Sequence, residues 1–325
     1  MASYTKREAQ DWAWQNLKGQ WTTVMTPFTP DDQVDEDGLR RNIRHIRALG
    51  TRGGGVTWGM GEFWSLTGEE RLRVMDIAAD EAAGKWPIAA HVTHTSYKEA
   101  IALAKHAENA GFDLLIVAPP YIVARTENAV VEFTKTVAEH TNLGIMFYNS
   151  GQFGITMSSQ GLQRICEIPN VVGVKEASVN RELSIATHVT LGRKKIISTP
   201  FDWIYFTGKQ LGFNQQVMFA NTSDWRFDQP GRNHYVQFIE KASRGEVDTE
   251  FYDLYIRPVA TISDKWWAYT AQKFGTWPAT LCKYWGELMG MAGGHVRQPL
   301  TPFTPEEKEA IKSDLKAINH PIAVK

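Results

Sequence analysis

Short apolar runs alternate along this chain with longer stretches whose apolar residues recur every three or four positions. The short runs are Trp21–Pro27, Gly53–Thr57, Pro87–Val92, Phe112–Val117, Leu143–Tyr148, Val171–Lys175, Lys195–Ser198 and Gln216–Phe219. Runs that are apolar at nearly every position suit strands of a parallel sheet covered on both faces. Between them, Leu39, Ile43 and Ile46 fall on one face of a helix opened by Asp35 and Glu36, acidic residues placed at the positive end of its dipole. Similar spacing predicts helices over 68–83, 97–110, 127–140 and 158–168. Eight strand candidates separated by helical segments favour a closed (β/α)8 TIM barrel. A doubly wound open sheet is the alternative, but no Gly-x-Gly-x-x-Gly turn follows the first strand. After about Gly231 the pattern is helical only. The expected organisation is an N-terminal arm or helix over 1–18, a barrel over 19–230 and a C-terminal helical extension over 231–325.

Composition narrows the function classes. The 325 residues suffice for one barrel with extensions, since such barrels take ~250 residues. With 35 basic against 36 acidic residues and a net charge of −1, no field steers the chain toward nucleic acid or an anionic membrane. Cys166 and Cys282 provide neither a disulfide framework nor the paired spacing of a metal site. The segment Met1–Lys18 lacks a signal-peptide core, and no apolar run approaches the ~20 residues of a membrane span. The expectation is a cytoplasmic enzyme acting on a small molecule, with no metal.

The chemistry of a barrel sits at the C-terminal ends of its strands. Lys175 ends the valine-rich run Val171-Val172-Gly173-Val174-Lys175. A lysine desolvated there has a lowered pKa, and a neutral amine attacks ketones to form a Schiff base. The structural alternative is a snorkelling lysine, or one paired with Glu176. Tyr148 ends the preceding strand, and adjacent strands lie ~4.8 Å apart, so one pocket can hold both side chains. A phenol there can shuttle the protons of imine chemistry. His91 and His94 fall at the end of the third strand as acid–base or carboxylate-binding candidates, with hydrogen-bonded structural roles as the alternative. Aromatic residues crowd the strand-end loops: Trp58, Phe63 and Trp64, then Phe201 and Trp203, then Trp225 and Phe227. They line either a pocket for a bulky apolar group or a subunit interface.

Several motifs resemble one family. Gly173-Val174-Lys175-Glu176-Ala177-Ser178 is similar to the Schiff-base lysine motif of the dihydrodipicolinate synthase / N-acetylneuraminate lyase family of class I aldolases. Tyr148-Asn149 resembles its catalytic tyrosine motif. Gly61-Glu62 with Ser65-Leu66-Thr67 resembles its loop after the second strand. Ala118-Pro119-Pro120-Tyr121 is similar to the segment whose tyrosine a neighbouring subunit contributes to the proton relay. Gly290–Gly294 and Val296–Leu300 resemble the closing helical region.

The resemblance implies a homotetramer without a cofactor, in which Lys175 forms an imine with a 2-oxo acid and Tyr148 and Tyr121 move protons. It differs from the family at informative places. The threonine hydroxyls of the family's loop are absent from Trp58-Gly59-Met60-Gly61-Glu62, which leaves the backbone N–H groups of Gly59, Met60 and Gly61 as a carboxylate nest. The arginine that follows the tyrosine motif in dihydrodipicolinate synthases is missing from Ser150–Gly154, which argues against lysine biosynthesis. Trp58, Trp64, His91, Asn149 and Asn221 are the further substrate-binding candidates, and Glu62 is expected to organise its loop. The implied reaction is hydration and retro-aldol cleavage of an aryl-substituted 2-oxo-3-enoate to an aromatic aldehyde and pyruvate, as in hydratase-aldolases. Dehydration or cleavage of a 2-oxo-3-deoxy sugar acid, and a non-catalytic ligand-binding barrel, are the other readings.

Overall fold

The computed structural model describes residues 3–220 and 223–322. Eight parallel strands follow one another around the molecule: β1 (Gly19–Thr23), β2 (Gly53–Val56), β3 (Ile88–His91), β4 (Leu114–Val117), β5 (Gly144–Asn149), β6 (Val171–Glu176), β7 (Ile196–Ser198) and β8 (Val217–Phe219). From β1 to β7 each is bonded to its neighbour in sequence, and β1 also pairs with β8. Side chains stitch the β7–β8 seam: the Phe219 amide donates to Ser198 Oγ at 2.8 Å, and the Thr199 amide donates to Gln215 Oε1 at 2.6 Å. The result is a TIM barrel with a C-terminal helical part.

The helix α1 (Ala9–Asn16) precedes the barrel. Helices α2 (Glu36–Ala48), α3 (Gly68–Ala82), α4 (Tyr97–Ala110), α5 (Glu127–Glu139), α6 (Ser159–Cys166), α7 (Arg181–Leu191) and α8 (Trp203–Leu211) then alternate with the strands. Asp35, Thr67, Ser96, Thr126, Ser158 and Asn180 each accept a backbone N–H three residues on, capping α2 to α7. Helices α9 (Ser223–Phe227), α10 (His234–Ala242), α11 (Thr249–Tyr255), α12 (Arg257–Phe274), α13 (Ala279–Leu288) and α14 (Pro305–Ala317) complete the chain. Among the described residues no helix is long and apolar enough to cross a membrane.

Two apolar layers result from strand alternation. One lies between strands and helices; the other fills the barrel with Trp21, Trp58, Leu114, Ile116, Met146, Tyr148, Ile196 and Phe219. Ala9, Ala13 and Leu17 join the inner layer, and Gln216 Nε2 donates to the Leu17 carbonyl at 2.7 Å, so α1 plugs the N-terminal mouth. The glycine run of β2 has a packing cause. A Cβ on Gly53 would meet Trp21 at 2.6 Å, one on Gly54 would meet Trp86 at 2.2 Å, and one on Gly55 would meet Trp58 at 2.2 Å. Three indoles supply the apolar surface that the strand itself lacks. Strand β1 ends at Thr23 rather than Pro27, because the chain turns out to where Thr26 Oγ1 donates to the Gly61 carbonyl at 3.0 Å.

Candidate active site

Strands β5 and β6 set the centre. A register shift between Ile145 and Met146 makes Val172 an extra residue, after which Tyr148 pairs with Lys175 and Asn149 with Glu176. Side chains alternate along a strand, so Tyr148 and Lys175 turn inward together while Asn149 and Glu176 turn outward together. Lys175 Nζ lies 4.4 Å from the centroid of the Tyr148 ring and 5.6 Å from that of Trp58. Burial lowers the Lys175 pKa to about 7, because desolvation penalises the ammonium.

Glu176 is not the partner of Lys175. It accepts from Asn149 Nδ2 at 2.6 Å and the Ser178 amide at 3.0 Å. Asn149 also receives the Met157 amide at 2.8 Å on Oδ1. Expected to hold substrate, Asn149 instead ties the segment before α6 to β6 on the outside of the barrel. The correction follows from period-two alternation, which bars neighbours from sharing one face.

His91 ends β3 and is wholly buried. Its Nδ1 lies 2.9 Å from the Thr57 carbonyl, which selects the Nδ1–H tautomer, while Arg71 Nη2 donates to the His91 carbonyl at 2.6 Å. Burial, and then the Arg71 charge, push the imidazole well below its ordinary pKa and keep it neutral. The lone pair on Nε2 is buried without a hydrogen-bond partner among the described residues, as are Trp58 Nε1 and the Thr23 hydroxyl. His91 packs edge-on to Phe63 (4.6 Å between centroids) and against Phe153 (5.9 Å); Phe153 in turn meets Tyr148 at 5.2 Å. His94 points elsewhere, with its Nδ1 accepting the Ser96 amide at the start of α4.

Gly59–Gly61 forms one short 3-10 turn. Gly61 N donates to the Trp58 carbonyl at 2.6 Å, so of the three expected nest donors Gly61 is occupied by the turn itself. Glu62 follows in the left-handed region, with φ of 55°, and faces Lys283 of α13 at 3.0 Å in a buried ion pair.

A cavity of about 600 Å³ opens on Tyr148 at the C-terminal face of the barrel. Phe201, Trp203, Phe227, Tyr252, Trp267 and Trp277 wall it, with Arg226, Asp202 and Asp264 as charged members. The loop aromatics thus separate: Phe201, Trp203 and Phe227 face this cavity, Trp58 fills the barrel, and Trp225 is core. Trp64 and Tyr121 do not join Lys175. They line a different cavity of about 510 Å³ with Arg71, His94 and Glu99, because the turn at Phe63–Ser65 carries Trp64 outward and is 38% exposed at that residue. Asn221 lies outside the described residues. One contact escaped the sequence reading: Gln152 Nε2 donates to the Tyr148 hydroxyl at 2.8 Å. Its only sequence signal is the turn Gly151-Gln152-Phe153-Gly154 directly after the tyrosine motif.

The model of the dihydrodipicolinate synthetase family matches residues 16–318. The chain belongs to this family. A probable 5-dehydro-4-deoxyglucarate dehydratase 2 of Streptomyces coelicolor is 27% identical over 296 residues, covering 88% of this chain and 85% of that protein. The 4-hydroxy-tetrahydrodipicolinate synthase of Methanothrix thermoacetophila is 27% identical over 302 residues, covering 92% and 96%. Among solved structures, YagE of E. coli K12 in complex with pyruvate superposes with a TM-score of 0.79 at 21% identity, covering 93% of this chain and 98% of that one. N-acetylneuraminate lyase from Fusobacterium nucleatum gives 0.76 at 22%, covering 93% and 99%. At these identities the superpositions establish the fold. Membership of the dihydrodipicolinate synthetase family makes the chain a lyase of the pyruvate-dependent class I aldolase type.

Proposed function

We propose that this chain is a Schiff-base hydratase-aldolase that converts an aryl-substituted 2-oxo-3-enoate and water into an aromatic aldehyde and pyruvate. The observation that carries the aryl part is the cavity wall: six aromatic side chains surround the space leading to Tyr148. Such a wall suits a flat apolar group, with Asp202, Arg226 and Asp264 beside it for polar contacts.

Lys175 is the nucleophile in this reading. Its neutral Nζ adds to C2 of the 2-oxo acid, and the carbinolamine loses water to give an iminium. Water adds to C4 of the conjugated iminium, and the C3=C4 electron pair returns through an enamine that is protonated at C3. Loss of the C4 hydroxyl proton then breaks the C3–C4 bond. Its electrons pass to the iminium nitrogen, the aldehyde departs, and protonation of the new enamine followed by hydrolysis releases pyruvate. Tyr148 is the proton shuttle, and the Gly59 and Met60 amides receive the carboxylate. The buried Nε2 of His91 accepts a hydrogen bond from water or a substrate hydroxyl. Tyr121 enters only as a residue lent to a neighbouring subunit of a homotetramer, since it does not line this chain's own cavity on Tyr148.

A second reading has one observation in its favour: the relative from Streptomyces coelicolor is named as a dehydratase of a deoxy sugar acid. The same iminium would expel a hydroxyl from such a substrate. Borohydride reduction in the presence of pyruvate, read by mass spectrometry, tests the shared step. The expected result is a pyruvate adduct on Lys175 that disappears in Lys175→Ala, and no adduct with any 2-oxo acid would leave a ligand-binding barrel. Turnover of benzylidenepyruvates against deoxy sugar acids then separates the two substrates. Sedimentation velocity on the same preparation tests the tetramer.

A further inference from the structure

The phenol of Tyr148 has a donor of its own from outside the barrel. Gln152 reaches back four residues so that Nε2 lies 2.8 Å from the Tyr148 oxygen. Local sequence sets this up. Phe153 N donates to the Ser150 carbonyl and Gly154 N to the Gly151 carbonyl, which closes a single 3-10 turn. Gly154 leaves that turn at φ of 92°, a conformation that favours glycine. Phe153 is buried and edge-on to the Tyr148 ring, so the residue beside Gln152 pins the turn onto the tyrosine it serves.

We infer that Gln152 is a positioning residue for acid–base chemistry at Tyr148, holding the phenol by a donated hydrogen bond in a site whose loop after β2 carries no threonine hydroxyl. The inference rests on the Schiff-base reading of Lys175. A hydrogen bond donated to the phenol oxygen occupies a lone pair and holds the phenol group in one orientation. It also stabilises the phenolate that exists after the phenol proton has been given up. The loop Trp58-Gly59-Met60-Gly61-Glu62 offers Tyr148 no side-chain hydroxyl, and Gln152 supplies a polar contact from the cavity wall.

Pyruvate itself is the probe, because it isolates the step. With Lys175 as iminium, a C3 proton passes to the phenolate, and the C3–H electron pair becomes the enamine double bond while the nitrogen takes the former C=N pair. In D2O the phenol returns a deuteron to C3, so the methyl signal of pyruvate disappears from the proton spectrum at the rate of this transfer. The expected result for Gln152→Ala is a roughly tenfold to hundredfold slower exchange, with the end-point yield of borohydride-trapped adduct unchanged. The pH at half-maximal exchange moves upward, since the phenolate has lost a donor. Gln152→Glu keeps the shape but presents an acceptor and a negative charge, so it is expected to be slower still.

A merely structural glutamine would give the reverse order, with the near-isosteric glutamate closer to the natural protein than alanine. That order, or exchange at the natural rate in Gln152→Ala, overturns the proposal. Absence of adduct in the natural protein is a different failure: it removes the Lys175 reading, and this inference with it. Circular dichroism melts of both variants identify any loss of exchange caused by unfolding. Should both be unfolded, Gln152→Met, which retains the bulk without a donor, is expected to exchange as slowly as Gln152→Ala, and a natural rate there overturns the proposal.

Discussion

Holding an amine inside an apolar barrel works against folding, and Lys175 is where this chain bears that cost. Burial takes its pKa from 10.5 in an exposed lysine to about 7. The unfolded chain therefore binds a proton that the folded one does not between those values, and stability rises with pH across that window. Below pH 7 the penalty is fully present; near pH 10.5 it has gone. Lys175→Met is accordingly expected to raise the free energy of unfolding by on the order of 2–4 kcal/mol at pH 7, and by much less at pH 10, while abolishing imine formation. Urea titrations at the two pH values check this. Equal stability of the two proteins at pH 7 would mean that the amine is not desolvated. The same burial leaves a substantial neutral fraction at pH 7, so the feature that destabilises the fold supplies the nucleophile.

At the scale of elements, alternation along a strand decides which neighbours of the lysine share its chamber. The eight strands, their order and the helices α2 to α6 were legible in the sequence, because each strand is a short apolar or small-residue run beside a capped amphipathic segment; α7 and α8 were not singled out. So was the adjacency of Tyr148 and Lys175, as consecutive strand ends. The facing of Asn149 was not read, although it follows from Tyr148 by counting one residue. The placement of Trp64 was not legible, since it depends on a turn whose course no local pattern encodes. The packing role of Gly53-Gly54-Gly55 was also hidden, because its partners Trp21, Trp58 and Trp86 lie in three different segments. Of these glycines, Gly55 bears most directly on the site: its missing Cβ leaves room for the indole that sits over Lys175. Gly55→Ala is expected to destabilise by about 1–3 kcal/mol through overpacking. It should also shift the Trp58 fluorescence and slow pyruvate trapping, whereas an unchanged emission spectrum would place the indole elsewhere.

The whole molecule has a reason to carry helices beyond the barrel. The segment from Gly59 to Glu70 follows β2 over the site, and the C-terminal region grips it at both ends. Arg297 makes a paired contact with Glu70, Nη2 to Oε1 at 2.6 Å and Nη1 to Oε2 at 2.8 Å, and also donates to the Ser65 carbonyl at 2.7 Å. Lys283 meets Glu62 at 3.0 Å, and its Nζ donates to the Thr26 carbonyl at 2.8 Å and the Gly293 carbonyl at 3.2 Å. Burial raises the pKa of Glu62 and lowers that of Lys283, so each charge depends on the other to remain ionised. Two desolvated charges in this position add little net stability as a pair, but either one alone is costly. Lys283→Met is therefore expected to lose about 3–5 kcal/mol, because it strands a buried carboxylate. The double variant Glu62→Gln, Lys283→Met strands none and should recover a large part of that loss. If the double variant were no more stable than Lys283→Met in urea, the lysine would be acting through packing against Phe28, whose ring centroid lies 4.3 Å from its Nζ, rather than through the carboxylate. With the pair intact, the same measurement ties the C-terminal helices to the turn that the proposed reaction uses for its carboxylate, and so gives the extension, whose Tyr252, Trp267 and Trp277 line the cavity on Tyr148, a second part in the site.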